Sequence, residues 1–137
     1  MPTNLKLKTK KKLLDTSAII ALWKKEPGFE VVENIIASSA VSSVNLSELV
    51  GVLSRSGIPE NEIDKIITDI VPEIIPFSEE LAVKTGKLSL IAKEYGLSLG
   101  DKACIATGEH YQMEIYTTDK IWSKLSEQTN AKITIIR

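Results

Sequence analysis

Cysteine and histidine are almost missing from this sequence: Cys104 is its only cysteine and His110 its only histidine. A single cysteine excludes an internal disulfide, and one residue of each kind leaves too few ligands for a structural zinc site. Cys104 lies in an apolar helical stretch, residues 103–106, which favours a buried core thiol. The spacing gives no reason to pair it with His110 as a nucleophile.

The chain also lacks an excess of charge of either sign, since 17 basic and 18 acidic residues leave a formal net charge of −1. Whole-molecule electrostatics therefore cannot draw this protein onto nucleic acid. Any such binding has to come from a local patch or from a metal ion. The 137 residues, of which 43% are apolar, suffice for one domain with its own core.

No apolar run approaches the ~20 residues that a membrane span requires. Lysines precede the apolar residues 18–23 and loosely imitate a signal peptide. Asp15 interrupts that pattern, Lys24 and Lys25 end it, and no small-residue cleavage site follows. We therefore expect a cytoplasmic protein without a membrane segment. Residues 1–11 form a lysine-rich arm that we expect to be disordered because its like charges repel; an RNA-contacting tail is the alternative.

After this arm, short apolar strand patterns alternate with helical periodicity. Strands separated by helices predict an α/β fold, a single domain over residues 12–137 with a parallel sheet covered on both faces. The predicted strands are residues 12–14, 40–44, 74–77, 114–117 and 132–136. The predicted helices are residues 16–24, 29–38 and 46–55, one between Pro59 and Pro72, residues 78–95, one from Ser98, and residues 119–128.

Four acidic residues stand where predicted strands end or helices begin: Asp15, Glu48, Asp101 and Asp119. In a parallel α/β sheet these positions gather along one edge, so the four side chains can face a common cleft. Carboxylates held this close repel one another unless a cation lies between them, and an all-oxygen set suits Mg²⁺ or Mn²⁺. Hydrolysis of a phosphodiester is the natural chemistry of such a site.

Helix capping is the better explanation of each of these acids when they are taken singly. Residues 45–48 (NLSE) and 98–101 (SLGD) both match a capping box, and Asp15 and Asp119 stand at N-cap positions. The four acids at equivalent structural positions shift the balance towards a functional site, but capping stays open as the alternative.

Four segments carry a resemblance to a known family. They are residues 13–18 (LLDTSA), 45–51 (NLSELVG), 97–106 (LSLGDKACIA) and 117–122 (TTDKIW). In this order they resemble the PIN-domain nucleases, in particular the VapC-type toxins of toxin–antitoxin pairs. The resemblance covers residues 13–136 and leaves out the lysine-rich arm.

This resemblance implies a parallel sheet of four or five strands and a Mg²⁺- or Mn²⁺-dependent endonuclease that cleaves RNA. It also implies a homodimer and a cognate antitoxin protein that inhibits the enzyme. It assigns Asp15, Glu48, Asp101 and Asp119 as the catalytic and metal-binding acids. Hydroxyl neighbours would orient these carboxylates or a water molecule: Thr16, Ser17 and Thr117.

Three basic residues are candidates for phosphate contacts. Lys102 and Lys120 follow two of the acids directly, and Arg55 ends the helix that bears Glu48. A solvated helix surface is the alternative for each. Gly100 is a candidate for close approach to a ligand or for helix packing.

Two other functions compete with the nuclease. One is a catalytically silent module of the same fold that acts through protein contacts. The other is a haloacid-dehalogenase-type phosphotransferase, which needs a second aspartate where this chain has Ser17.

Overall fold

A five-stranded parallel sheet forms the centre of the computed structural model, which describes residues 12–137. The predicted lysine-rich arm lies outside these described residues. The strands run in the order β3-β2-β1-β4-β5, and every neighbouring pair is parallel. They are β1 (Lys12–Leu14), β2 (Ser39–Ser42), β3 (Glu73–Ile75), β4 (Glu114–Thr117) and β5 (Lys132–Ile135). The predicted α/β fold is confirmed, with five strands.

Helices connect the strands and cover both faces of the sheet, as parallel pairing requires. They are α1 (Thr16–Lys24), α2 (Phe29–Ile35), α3 (Ser43–Arg55), α4 (Glu60–Ile70), α5 (Glu79–Gly86), α6 (Ser89–Tyr95) and α7 (Leu99–Tyr111). A short 3₁₀ turn follows α2, and a longer 3₁₀ helix, Lys120–Glu127, lies between β4 and β5. Within residues 12–137, no helix is both long and apolar enough to cross a membrane.

Two hydrophobic cores lie on opposite faces of the sheet. Successive strand residues point to opposite faces, so Leu13 packs into one core with Ile115 and Trp122, while Leu14 packs into the other with Leu49. All five side chains are fully buried. Cys104 belongs to the first core, which confirms its prediction as a buried thiol.

The predicted boundaries of several helices are wrong. The long helix predicted over residues 78–95 is broken into α5 and α6 around Lys87 and Leu88, and the hydroxyl of Ser89 donates to the carbonyl of Gly86 at the break. The break lets Leu88 pack against the first core. Helix α3 begins at Ser43 rather than at residue 46, because Ser42 is its N-cap and accepts a hydrogen bond from the amide of Val44.

The parallel arrangement determines where the functional candidates lie. Asp15 directly follows β1, and its amide extends the pairing with β4 by donating to the carbonyl of Tyr116 (3.0 Å). Helix α3 follows β2, and Asp119 comes two residues after β4. These strand ends meet at the carboxyl edge of the sheet, where a ligand site is expected in an open α/β fold.

Candidate active site

A cleft of about 810 Å³ opens at the carboxyl edge of the sheet. All four predicted acids line it: Asp15, Glu48, Asp101 and Asp119. They reach the cleft from the end of β1, from α3, from the start of α7 and from the segment after β4. Thr16, Ser17, Gly100 and Arg55 line the same cleft, so the structure brings together residues that are up to 104 positions apart in the sequence.

Asp15 is the most buried of these acids, with only 4% of its surface exposed. It occupies the N-cap position of α1, but its side chain accepts no capping hydrogen bond from the described backbone amides of this helix. Instead its Oδ2 accepts hydrogen bonds from the hydroxyls of Ser17 (2.8 Å) and Thr117 (3.0 Å). The capping interpretation is therefore wrong for Asp15, and two predicted supporting hydroxyls are bound to it.

The pKa of the Asp15 carboxyl is raised from 3.8 to about 6, chiefly by burial and also by the negative charges of Asp101 and Glu48. The hydroxyls of Ser17 and Thr117 oppose this effect by lowering it. Burial likewise raises the pKa of Asp101, as do the charges of Glu48 and Asp119. Asp15, Glu48 and Asp101 therefore repel one another across the cleft, and Asp119 repels Asp101, although the four acids belong to separate elements.

Glu48 is held by neutral donors. Its Oε1 accepts hydrogen bonds from the Thr16 hydroxyl (2.8 Å) and from the side-chain amide of Asn45 (3.0 Å). Because α3 begins at Ser43, Glu48 lies in the second turn of the helix and cannot close a capping box. The predicted box over residues 45–48 is wrong, and the carboxylate faces the cleft instead.

Asn45 is a site residue that the sequence analysis interpreted only as a cap. It is fully buried, and its Nδ2 lies within hydrogen-bond distance of Glu48 Oε1, Thr16 Oγ1 (3.1 Å) and the Gly100 carbonyl (3.2 Å). Its Oδ1 has no hydrogen-bond partner among the described residues. The side-chain amide therefore leaves its acceptor unused while its Nδ2 faces the Glu48 carboxylate. An asparagine three positions before Glu48 is the only signal in the sequence.

Gly100 faces Glu48 at very close range. A Cβ atom on residue 100 would overlap the Glu48 carboxylate, which would have to move from its present position. The close approach predicted for Gly100 is therefore to a side chain of the site itself.

Asp101 and Asp119 do cap their helices. The capping box over residues 98–101 is present: Asp101 Oδ2 accepts from the Ser98 amide (2.9 Å), and Ser98 Oγ accepts from the Asp101 amide (3.2 Å). Asp119 Oδ1 accepts from the amide of Ile121 (3.1 Å). Since each of these bonds uses a single carboxylate oxygen, capping and a place in the cleft are compatible.

The donor set fits a hard divalent cation, because every candidate ligand is a carboxylate oxygen. Among residues 12–137, however, no three acidic, histidine or cysteine side chains already stand close enough together to enclose an ion.

The predicted phosphate contacts divide in two. Arg55 lines the cleft, whereas Lys102 and Lys120 are not among the residues that line it.

Cys104 lies close to the acids, and burial together with the charges of Asp15, Asp101 and Glu48 raises the pKa of its thiol well above the usual range. It therefore stays a neutral core thiol.

Comparison with known proteins connects this site with one family. The PIN domain family model matches residues 12–128. No curated protein sequence matches the chain. Among solved structures, a chain of the DNA-bound VapBC complex from Salmonella typhimurium is 18% identical, with a TM-score of 0.72 over 93% of this chain and 98% of that one.

Two further structures have the same fold. A chain of VapBC2 from Rickettsia felis, bound to a DNA fragment from its promoter, is 18% identical, with a TM-score of 0.70 over 92% of this chain and 98% of that one. VapC20 from Mycobacterium tuberculosis, described as a toxin that cleaves the sarcin-ricin loop, is 15% identical, with a TM-score of 0.65 over 83% of this chain and 94% of that one. At sequence identities this low, the structural similarity shows a shared fold and nothing further.

The raised pKa of Asp15 predicts a pH-dependent gain in stability for the Asp15→Asn variant. Its folded-state pKa of about 6 lies above the ordinary 3.8, so ionisation of Asp15 destabilises the fold progressively from pH 3.8 to 6 and fully above that. The metal-free variant should be more stable than the wild type at pH 7.5, by up to about 3 kcal/mol, and this difference should shrink towards pH 4. Urea unfolding in EDTA measures both values.

Asp69→Asn is the matched control for this measurement, because Asp69 is exposed on α4 and does not line the cleft. It should show no such pH-dependent gain. A stability difference for Asp15→Asn that is the same at both pH values would contradict the prediction.

Proposed function

Because this chain belongs to the PIN domain family, we propose that it is a metal-dependent endoribonuclease, the toxin of a VapBC-type toxin–antitoxin pair. The observation that carries the proposal is the cleft in which four carboxylates from four separate elements repel one another. A fold maintains such repulsion at a cost to its stability, and a divalent cation would offset that cost.

Asp15, Glu48, Asp101 and Asp119 would hold a Mg²⁺ or Mn²⁺ ion. When bound, such an ion supplies Lewis-acid activation of water and neutralises charge on the phosphoryl oxygens. The buried Asp15, with its raised pKa, is the acid whose ionisation would gain most from a nearby cation.

The other residues of the site position these acids. The hydroxyls of Ser17 and Thr117 orient Asp15, while Thr16 and Asn45 orient Glu48. Helices α1 and α7 begin at the same edge of the sheet, and their N-terminal amides add partial positive charge that favours a phosphate group.

The fold neighbours support RNA as the substrate and an antitoxin as the partner. Several are toxin–antitoxin complexes, and VapC20 is described as cleaving the sarcin-ricin loop. We extend these properties to this chain as part of the proposal, together with a cytoplasmic location and a homodimeric state.

Nuclease activity gives the direct test. The purified protein should cleave RNA with Mg²⁺ or Mn²⁺ and should be inactive in EDTA. Asp15→Asn and Asp101→Asn should each lower the cleavage rate by about a hundredfold or more, as measured on end-labelled RNA. Asparagine retains an oxygen that accepts hydrogen bonds, so both variants should keep the fold, which circular dichroism checks.

Asp69→Asn should retain wild-type activity, as an exposed acid outside the cleft. Full activity in both cleft variants would exclude the assigned acids. A wild-type protein that neither binds Mn²⁺ nor cleaves RNA would favour the catalytically silent interaction module instead.

The contact between Gly100 and Glu48 gives a second test. In Gly100→Ala the new Cβ atom would displace the Glu48 carboxylate. Loss of this oriented ligand should weaken Mn²⁺ binding by about tenfold or more in calorimetry. Gly86→Ala is the matched control, because a Cβ on residue 86 meets no atom within 4 Å. Equal Mn²⁺ affinity in the two variants would show that Glu48 does not contribute to the metal site.

A further inference from the structure

Helix α3 supplies one whole wall of the cleft. Glu48, Gly51, Val52 and Arg55 all line it, at the spacing i, i+3, i+4 and i+7 that places residues on one helix face. Seven residues of α-helix rise about 10 Å, so the wall continues well past the acids. The cleft is therefore a groove with the carboxylates at one end and Arg55 at the other.

The Arg55 side chain points back into this groove. Its Nη1 lies 3.1 Å from the position that a Cβ on Gly51 would take, one turn towards the start of the helix. Helical side chains lean in this direction, and the absence of a side chain on Gly51 leaves room for the guanidinium. Arg55 thus lies alongside the groove rather than against the last carbonyls of α3.

Arg55 is unpaired. Within residues 12–137 no hydrogen bond or ion pair involves its side chain, although four carboxylates line the same groove. It is also the only lysine or arginine among the described residues that line the groove. A planar guanidinium with free donors binds a phosphate through two parallel hydrogen bonds.

We propose that Arg55, in the space left by Gly51, binds the backbone phosphate of a nucleotide that neighbours the bond to be cleaved. The RNA strand would then run along α3, with one phosphate among the acids and a neighbouring phosphate at Arg55. This inference rests on the proposed function for the identity of the substrate. It adds a subsite that fixes the path of the strand along the groove.

Apolar side chains also line the groove, beside the hydroxyls of Ser47 and Ser98. They are Ile20, Val52 and the 59% exposed Leu99. The subsite should act on RNA of any sequence, because phosphate contacts carry no sequence information.

Fluorescence anisotropy with short labelled oligouridylate and oligoadenylate tests this subsite. The measurement uses the Asp101→Asn protein in EDTA, so it depends neither on cleavage nor on a bound metal. Adding Arg55→Gln should weaken binding about five- to tenfold near 50 mM salt, equally for both oligonucleotides. It should also reduce the slope of log affinity against log salt by about 0.7, the value for one phosphate contact on a single strand.

Two companion variants sharpen the result. Lys65→Gln removes one positive charge from the exposed surface of α4, outside the groove, and should leave affinity and slope unchanged. Arg55→Lys keeps the charge but loses the two parallel hydrogen bonds of the guanidinium, so it should retain the salt slope and recover only part of the affinity. Equal effects of Arg55→Gln and Lys65→Gln, or no binding by any of these proteins, would overturn the subsite.

Failure of the proposed function looks different. If the wild-type protein never cleaves RNA but Arg55→Gln alone weakens binding, the subsite stands and the nuclease proposal falls. If RNA is cleaved but binding does not depend on Arg55, the reverse holds.

Discussion

Repulsion among four carboxylates is the constraint around which this structure is organised. The fold holds Asp15 and Glu48 in place with neutral donors, the hydroxyls of Ser17, Thr117 and Thr16 and the amide of Asn45. Paired arginines or lysines would have cancelled the negative charge, whereas hydroxyls and amides orient it and leave it largely intact. The cleft thus keeps an electrostatic potential that favours a cation.

Much of this arrangement could be predicted from the sequence, since a regular alternation of strands and helices is compatible with few sheet topologies. The order of strands and helices implies a parallel sheet, and a parallel sheet brings its strand ends to one edge. This topology is enough to select the four acids. It does not decide whether each acid caps a helix or belongs to a functional site. Asp15 occupies an N-cap position without capping its helix, whereas Asp101 both lines the cleft and caps its helix.

The residues that sequence reasoning missed depend on contacts across long separations. Asn45 reaches Thr16, 29 residues away, and Gly100, 55 residues away, and no local pattern reports either contact. The start of α3 was misplaced because several polar residues near it make acceptable caps. Lys102 and Lys120 were grouped with Arg55 by their proximity in sequence to the acids, although only Arg55 lines the cleft.

The tight fit of Glu48 against Gly100 has an evolutionary consequence. A Cβ atom at position 100 would force the Glu48 carboxylate out of the place where Thr16 and Asn45 hold it. Substitution of Glu48 by aspartate, one methylene shorter, would relieve this overlap. The two positions, in different helices and 52 residues apart, should therefore covary when sequences of this fold diverge.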